Sequence, residues 1–152
     1  ITLFNNAGIV DPIAPVGSLD AAAIEKNITI NLIAPMLLTN SFIELAGDFK
    51  GKLKVINISS GVAERPIASW SAYSAAKAGL NNYSECLAQE LPQNAEVYSC
   101  NPGLIDTEMQ GNIRNAGGEN FSEVERFKEF KKAGQLATPA TVAKNILKET
   151  YI

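Results

Sequence analysis

Apolar residues along this chain switch between strand-like runs and helix-like spacing, and the switches outline the elements. Ile1–Phe4 is a short apolar run broken by Asn5-Asn6-Ala7-Gly8, which predicts a strand and a turn. Pro12 and Pro15 make the stretch from Asp11 to Gly17 irregular. Ser18 can cap a helix entering Ala21–Ala23, and Ile24, Ile28, Leu32 and Met36 hold helical spacing towards Leu45, with Gly47 as the stop. Leu53–Ile58, with Val55, Ile56 and Ile58, reads as a second strand, followed by a loop over Ser60–Ser69. A helix is predicted over Ser71–Glu90, ahead of Pro92, and a third strand over Ala95–Cys100, ended by Asn101-Pro102-Gly103. Beyond it the chain is more polar. Ser122-Glu123-Val124-Glu125 fits a capping box opening a charged helix to Lys132, and Thr138-Pro139 starts a helix to Glu149. Strands alternating with long helices predict an α/β domain over residues 1–152: a parallel sheet covered on both faces, without repeats or linkers.

Composition narrows the chemistry more than the fold. Hydrophobic residues make up 46% and charged residues 19% of the 152, as in an ordinary globular domain. A net charge of −3 with no basic run gives a nucleic-acid or anionic-membrane partner no electrostatic support. No uninterrupted apolar stretch approaches ~20 residues, so no membrane span is expected. Cys86 and Cys100 have neither zinc spacing nor a disulfide framework and read as reduced thiols of a cytoplasmic protein. The chain has no histidine, which removes Ser-His-Asp triads, Cys-His pairs and histidine-based zinc hydrolases together, and no metal site is expected. Proton chemistry is left to Tyr, Lys, Asp, Glu, Ser or Cys. The opening Ile-Thr-Leu-Phe carries no signal-peptide pattern and reads as a strand entered in mid-domain.

One constellation combines these residue types productively. Tyr73-Ser-Ala-Ala-Lys77 places a phenol and an ammonium four residues apart, on one helix face. A phenol ionises near ~10 in water, and a neighbouring cation lowers that value. Ser59 and Ser60 close the preceding strand and could hold a substrate oxygen against the phenol. Taken alone, the pair could equally be a helix-surface neighbour pair with a solvated lysine. Pro35 adds a backbone feature: it has no amide hydrogen for the Asn31 carbonyl, so either a water-holding gap or a tolerated kink is expected there.

Tyr-x-x-x-Lys with Ser60 thirteen residues upstream, Asn5-Asn6-Ala7-Gly8 far before it and Pro102-Gly103 after it resembles the short-chain dehydrogenase/reductase family. The resemblance covers essentially the whole chain, but only the second part of a typical member. It implies a three-layer, Rossmann-like, doubly wound parallel sheet, here partial and without its N-terminal phosphate-binding half. It also implies Tyr73 as general acid/base, Lys77 on the nicotinamide ribose and lowering the Tyr73 pKa, and Ser60 positioning the substrate oxygen, with Ser59 a rival. Asn31 completes the set through a water on its backbone carbonyl. Asn5, Asn6, Ala7 and Gly8 correspond to the turn beneath the cofactor, and Ile58 to the strand end beside it. Pro102, Gly103, Leu104, Ile105 and Thr107 match the segment lining the nicotinamide. Trp70 either packs at the helix start or meets an aromatic substrate, and residues 111–136 fall where the family has its substrate loop and lid. The motifs Ile58-Ser59-Ser60, Trp70-Ser-Ala-Tyr73 and Asp106-Thr107-Glu108-Met109-Gln110 are most similar to the sepiapterin and benzil reductase branch. That branch implies NADP(H) as cofactor, with NAD not excluded, and reduction of a small-molecule dicarbonyl or α-hydroxy ketone.

Departures from the pattern matter too. No G-x-G occurs, so the glycine-rich phosphate loop and the residue that distinguishes NADP from NAD are not in this sequence. The alternatives are a non-catalytic module of the same architecture, or a general family member acting on another alcohol or ketone. The family's habit of pairing through the helices of Asn31 and Tyr73 makes a homo-oligomer, dimer or tetramer, possible.

Overall fold

The computed structural model describes residues 1–151. Three strands, β1 (Thr2–Asn5), β2 (Leu53–Ile58) and β3 (Ala95–Cys100), form one parallel sheet in the order β1-β2-β3. The register pairs Thr2 with Lys54, and Lys54 with Glu96. Side chains therefore alternate between faces in step across all three strands. Among the described residues, six α-helices accompany them: α1 (Ala21–Ile28), α2 (Ala34–Ala46), α3 (Ser71–Glu90), α4 (Glu108–Asn115), α5 (Val124–Lys132) and α6 (Pro139–Thr150). The result is a partial Rossmann-like α/β fold.

Both faces of the sheet are covered, and β2 shows how. Asn57 donates to Ser84 of α3 at 2.8 Å, which sets α3 on its face. Lys54, on the alternate face, reaches the Thr150 carbonyl of α6 and ion-pairs with Glu96 at 3.0 Å. Val55 and Ile56, successive residues that face opposite sides of the sheet, are both wholly buried, as in a strand covered on two sides. β1 includes Asn5, one residue beyond the apolar run, because its side chain donates to Asn57 Oδ1 at 2.8 Å and extends the pairing.

Several local expectations need correction. Asp20, not Ser18, caps α1, its Oδ2 accepting from Ala23 N–H at 2.9 Å. The capping box at Ser122 does not form: α5 begins at Val124 with no side-chain cap. Residues 108–115 form a helix that the polar sequence did not announce. Between α1 and α2 the chain stays helical through Pro35. Residues Thr29–Ile33 widen into a π-helical turn. The helix thus runs unbroken over the 26 residues Ala21–Ala46, long and apolar enough by length and composition to cross a membrane. The sequence reading missed this because it sought uninterrupted apolar residues, whereas buried Asn27, Asn31 and Thr39 punctuate the helix. Met36, Leu37, Leu38 and Leu45 on it are exposed. Both cysteine thiols are free.

Candidate active site

The C-terminal ends of β2 and β3, the start of α3 and the segment containing α4 and α5 enclose a cavity of about 550 Å³. A ligand cleft at the carboxyl edge of a parallel sheet is where open α/β folds place it. Its wall includes Ser59, Ser60, Trp70, Tyr73, Pro102, Gly103, Leu104, Ile105 and Thr107, so nine sequence-identified positions meet in one space. Gly103 makes the turn that brings this strand end round, with φ +71° and no heavy atom within 4 Å of where a Cβ would stand.

Tyr73 lies in the first turn of α3, 7% exposed, and shares the cavity wall with Ser60, whose hydroxyl is near enough to favour the ionised phenol. The neighbouring Ser59 is committed elsewhere, with its Oγ 2.5 Å from Asn81 Oδ1. Geometry therefore separates the two serines: Ser60 faces the phenol and Ser59 braces α3. Ser60 owes its position to the short 3₁₀ turn Gly61–Ala63, whose Val62 N–H reaches its Oγ at 3.4 Å.

Lys77 lies one helical turn along, 4% exposed, outside the cavity wall. Its Nζ donates to the Ile58 carbonyl at 2.8 Å and sits 5.9 Å from the Tyr73 ring centre. Burial lowers its pKa from 10.5 to about 8. Burial also pushes the Tyr73 phenol up, only partly offset by the nearby Ser60 hydroxyl. This corrects the expectation that Lys77 depresses Tyr73 here: the ammonium is aimed at Ile58, and desolvation governs the phenol. A raised phenol is fully protonated at neutral pH and can serve as a proton donor.

Asn31 is fully buried and approaches Lys77 from the opposite side. Gly8 lies between them, since a Cβ there would meet Asn31 Oδ1 at 3.0 Å and Lys77 Nζ at 3.6 Å. The Asn31 side chain binds both backbone groups of Ile9, accepting from its N–H at 3.2 Å and donating to its carbonyl at 2.8 Å. The π turn bears on its backbone. Ala34 N–H bonds the Thr29 carbonyl, and Pro35 has no N–H, so neither supplies the α-helical donor for the Ile30 and Asn31 carbonyls. Asn5, Asn6, Ala7, Gly8 and Ile58 also lie outside the cavity wall; Gly8 and Ile58 adjoin Lys77, and Asn5 bonds Asn57 and Thr39.

Sequence reasoning missed two sets of residues. Asn27, also fully buried, donates to the Asp11 carbonyl at 2.7 Å, lies 3.3 Å from those of Ile9 and Val10, and accepts from Asn31 at 3.0 Å. Its spacing of four from Asn31 was the available signal. The second set is the aromatic wall. Trp70 stacks on Phe121 at 5.2 Å, contacts Phe127 at 5.3 Å and meets Tyr73 edge-on at 5.9 Å. Trp70 thus both packs at the helix start and lines the cavity. Ser69, just before it, adopts a left-handed backbone with φ 70°, a strain of about 1–2 kcal/mol for a non-glycine residue.

With this geometry in view, the similarities are specific. The model of the short chain dehydrogenase family matches residues 2–118. The chain belongs to that family. A benzil reductase ((S)-benzoin forming) of Bacillus cereus is 39% identical over 149 residues, covering 96% of this chain and 60% of its own. A sepiapterin reductase of Bos taurus is 31% identical over 150 residues, covering 97% and 55%. Among solved structures, the KRED1-Pglu enzyme superposes with a TM-score of 0.83 at 31% identity, over 93% of this chain and 58% of its own. A metagenomic short-chain oxidoreductase in complex with NADP gives 0.63 at 36% identity, over 68% and 48%. A 4-hydroxyisoleucine dehydrogenase mutant complexed with NADH and succinate gives 0.79 at 28% identity, over 99% and 60%. The chain therefore spans about half to three fifths of the length of these relatives.

Proposed function

We propose that this chain carries the catalytic side of an NADP(H)-dependent carbonyl reductase, soluble and cytoplasmic, acting on a small dicarbonyl or α-hydroxy ketone. The observation that carries the reading is the meeting of Tyr73 and Ser60 in the wall of an apolar cavity, with Lys77 buried one turn behind. The similarity to benzil and sepiapterin reductases favours the substrate class and NADP, while NADH in one structural neighbour keeps NAD in view.

Residues present fit the nicotinamide end of such a cofactor. Lys77 uses one of its three N–H donors on Ile58, leaving two for ribose hydroxyls. Gly8 leaves its approach to Lys77 and Asn31 clear, where a Cβ would crowd Asn31. Pro102, Gly103, Leu104, Ile105 and Thr107 present an open strand-end turn for the carboxamide. When bound, the dinucleotide supplies the hydride. Ser60 then holds the substrate carbonyl oxygen beside the phenol, and Tyr73 delivers a proton to that oxygen as charge develops on it. The proton is replaced through Lys77 and a water on the freed Asn31 carbonyl. Pro35 favours this route, because it has no N–H to donate to the Asn31 carbonyl on which the water must bind.

The test is Tyr73→Phe in the protein that carries this chain, followed by steady-state reduction of benzil with NADPH. Ring packing survives and the proton donor does not, so turnover falls by ~10²–10⁴ while the fold is retained. Ser60→Ala loses orientation but keeps the donor and falls less, and Ser59→Ala stays near the parental rate. Turnover of Tyr73→Phe at the parental rate would sink the mechanism.

A further inference from the structure

Most of the cavity wall is apolar, yet two lining side chains hold polar atoms that no described residue satisfies: the Trp70 indole N–H and the Gln110 amide oxygen Oε1. Gln110 is 8% exposed and stands in the first turn of α4, three residues past Thr107. An unmade hydrogen bond at a buried amide costs about 1–3 kcal/mol, and folded proteins leave few of them. The mechanism above uses neither group.

Building on the carbonyl reductase reading, we infer that Gln110 is a specificity residue. Its carboxamide binds the second oxygen of a vicinally oxygenated substrate, the one on the carbon next to the reaction centre. A carboxamide suits this because it offers two acceptor lone pairs and two donors, and a half-turn of its terminal torsion exchanges them in nearly the same space. It can donate to the second carbonyl of a 1,2-diketone and accept from the hydroxyl of an α-hydroxy ketone. A simple ketone satisfies neither need, and a site built around a polar partner discriminates against the analogue lacking it. A purely structural outcome also exists. Arg114 lies four residues on, hence on the same helix face, and its Nη1 is likewise enclosed and unpartnered. A Gln110–Arg114 contact would serve packing and not the ligand.

Trp70 is the chain's only tryptophan and lies in the cavity wall, so its fluorescence reports occupancy without turnover. The protein that carries this chain is titrated with benzoin and with deoxybenzoin, which has the same carbon frame without the hydroxyl. The parent should bind benzoin at least ~10-fold more tightly, the worth of one well-made hydrogen bond. Gln110→Leu should abolish that preference and leave the deoxybenzoin Kd within about twofold. Gln110→Glu, which keeps acceptors and loses donors, should retain the benzoin preference and weaken benzil by ~10-fold. Arg114→Met should leave the preference intact. A parent without preference, a Gln110→Leu that weakens both ligands equally, a Gln110→Glu with the reverse pattern, or loss of preference in Arg114→Met would each overturn the assignment. Binding that depends on Gln110 in a protein unable to reduce benzil would overturn the reductase reading and leave this one standing.

Discussion

Replacing Lys77 with Met tests the electrostatics of the site without any assumption about substrate. Burial lowers the folded pKa of Lys77 from 10.5 to about 8, so its charged form is disfavoured in the folded state relative to the unfolded chain. The shift corresponds to a penalty on the order of 3 kcal/mol, and no screening discount applies to a side chain 4% exposed. Because the folded value is the lower one, the unfolded chain binds more protons between the two pKa values. The penalty is therefore complete below about pH 8 and fades as pH climbs towards 10.5. Between pH 7 and pH 9.5 the relief should reach about 2 kcal/mol. Tyr73 acts in the opposite sense. Its raised pKa means that stability is lost as pH climbs through and beyond 10, so measurements stop at pH 9.5. Urea unfolding of the parent and of Lys77→Met at several pH values isolates the lysine, since titrations common to both cancel in the difference. The parent should gain about 2 kcal/mol on the variant from pH 7 to 9.5, whatever the offset from leaving the Ile58 carbonyl without its donor. A difference independent of pH would show that Lys77 ionises as in water, and the buried-cation account of the site would fall with it.

Two further outcomes follow from backbone and network geometry. Asn27→Ala removes the buried donor to Asp11 and the acceptor of Asn31, so thermal unfolding should report a loss of about 2–4 kcal/mol, with hydrogen exchange rising at residues 9–11. An unchanged midpoint would mean that the loop is held by Asn31 alone. Gly103→Ala places a side chain in open space on a left-handed backbone, so it should cost about 1 kcal/mol from backbone strain, and Gly103→Asn less. Equal losses in denaturant midpoint would point to side-chain crowding as the cause.

What the sequence determined by itself follows from local physics. Short β-branched and aromatic segments bounded by turn residues set β2 and β3 to their observed ends, the 20 residues of α3 fall between Trp70 and Pro92, and Thr138-Pro139 caps α6 as its chemistry requires. The four-residue spacing of Tyr73 and Lys77 put both on one helix face, and motif order pointed to Ser60 and the Pro102–Thr107 segment. Only the tertiary structure decided what each polar group faces. Asn81 occupies Ser59 and leaves Ser60 to Tyr73, although the two serines are adjacent in sequence. Lys77 turns to a strand carbonyl and not to the phenol, so burial sets both pKa shifts. Pro35 was legible as a missing donor, but the π turn beside it, and the anchoring of that helix to residues 9–11 by Asn27 and Asn31, were not. The aromatic wall was invisible for the same reason. Trp70 and Phe121 stack at 5.2 Å across fifty residues of chain, and no periodicity encodes a contact between segments so far apart.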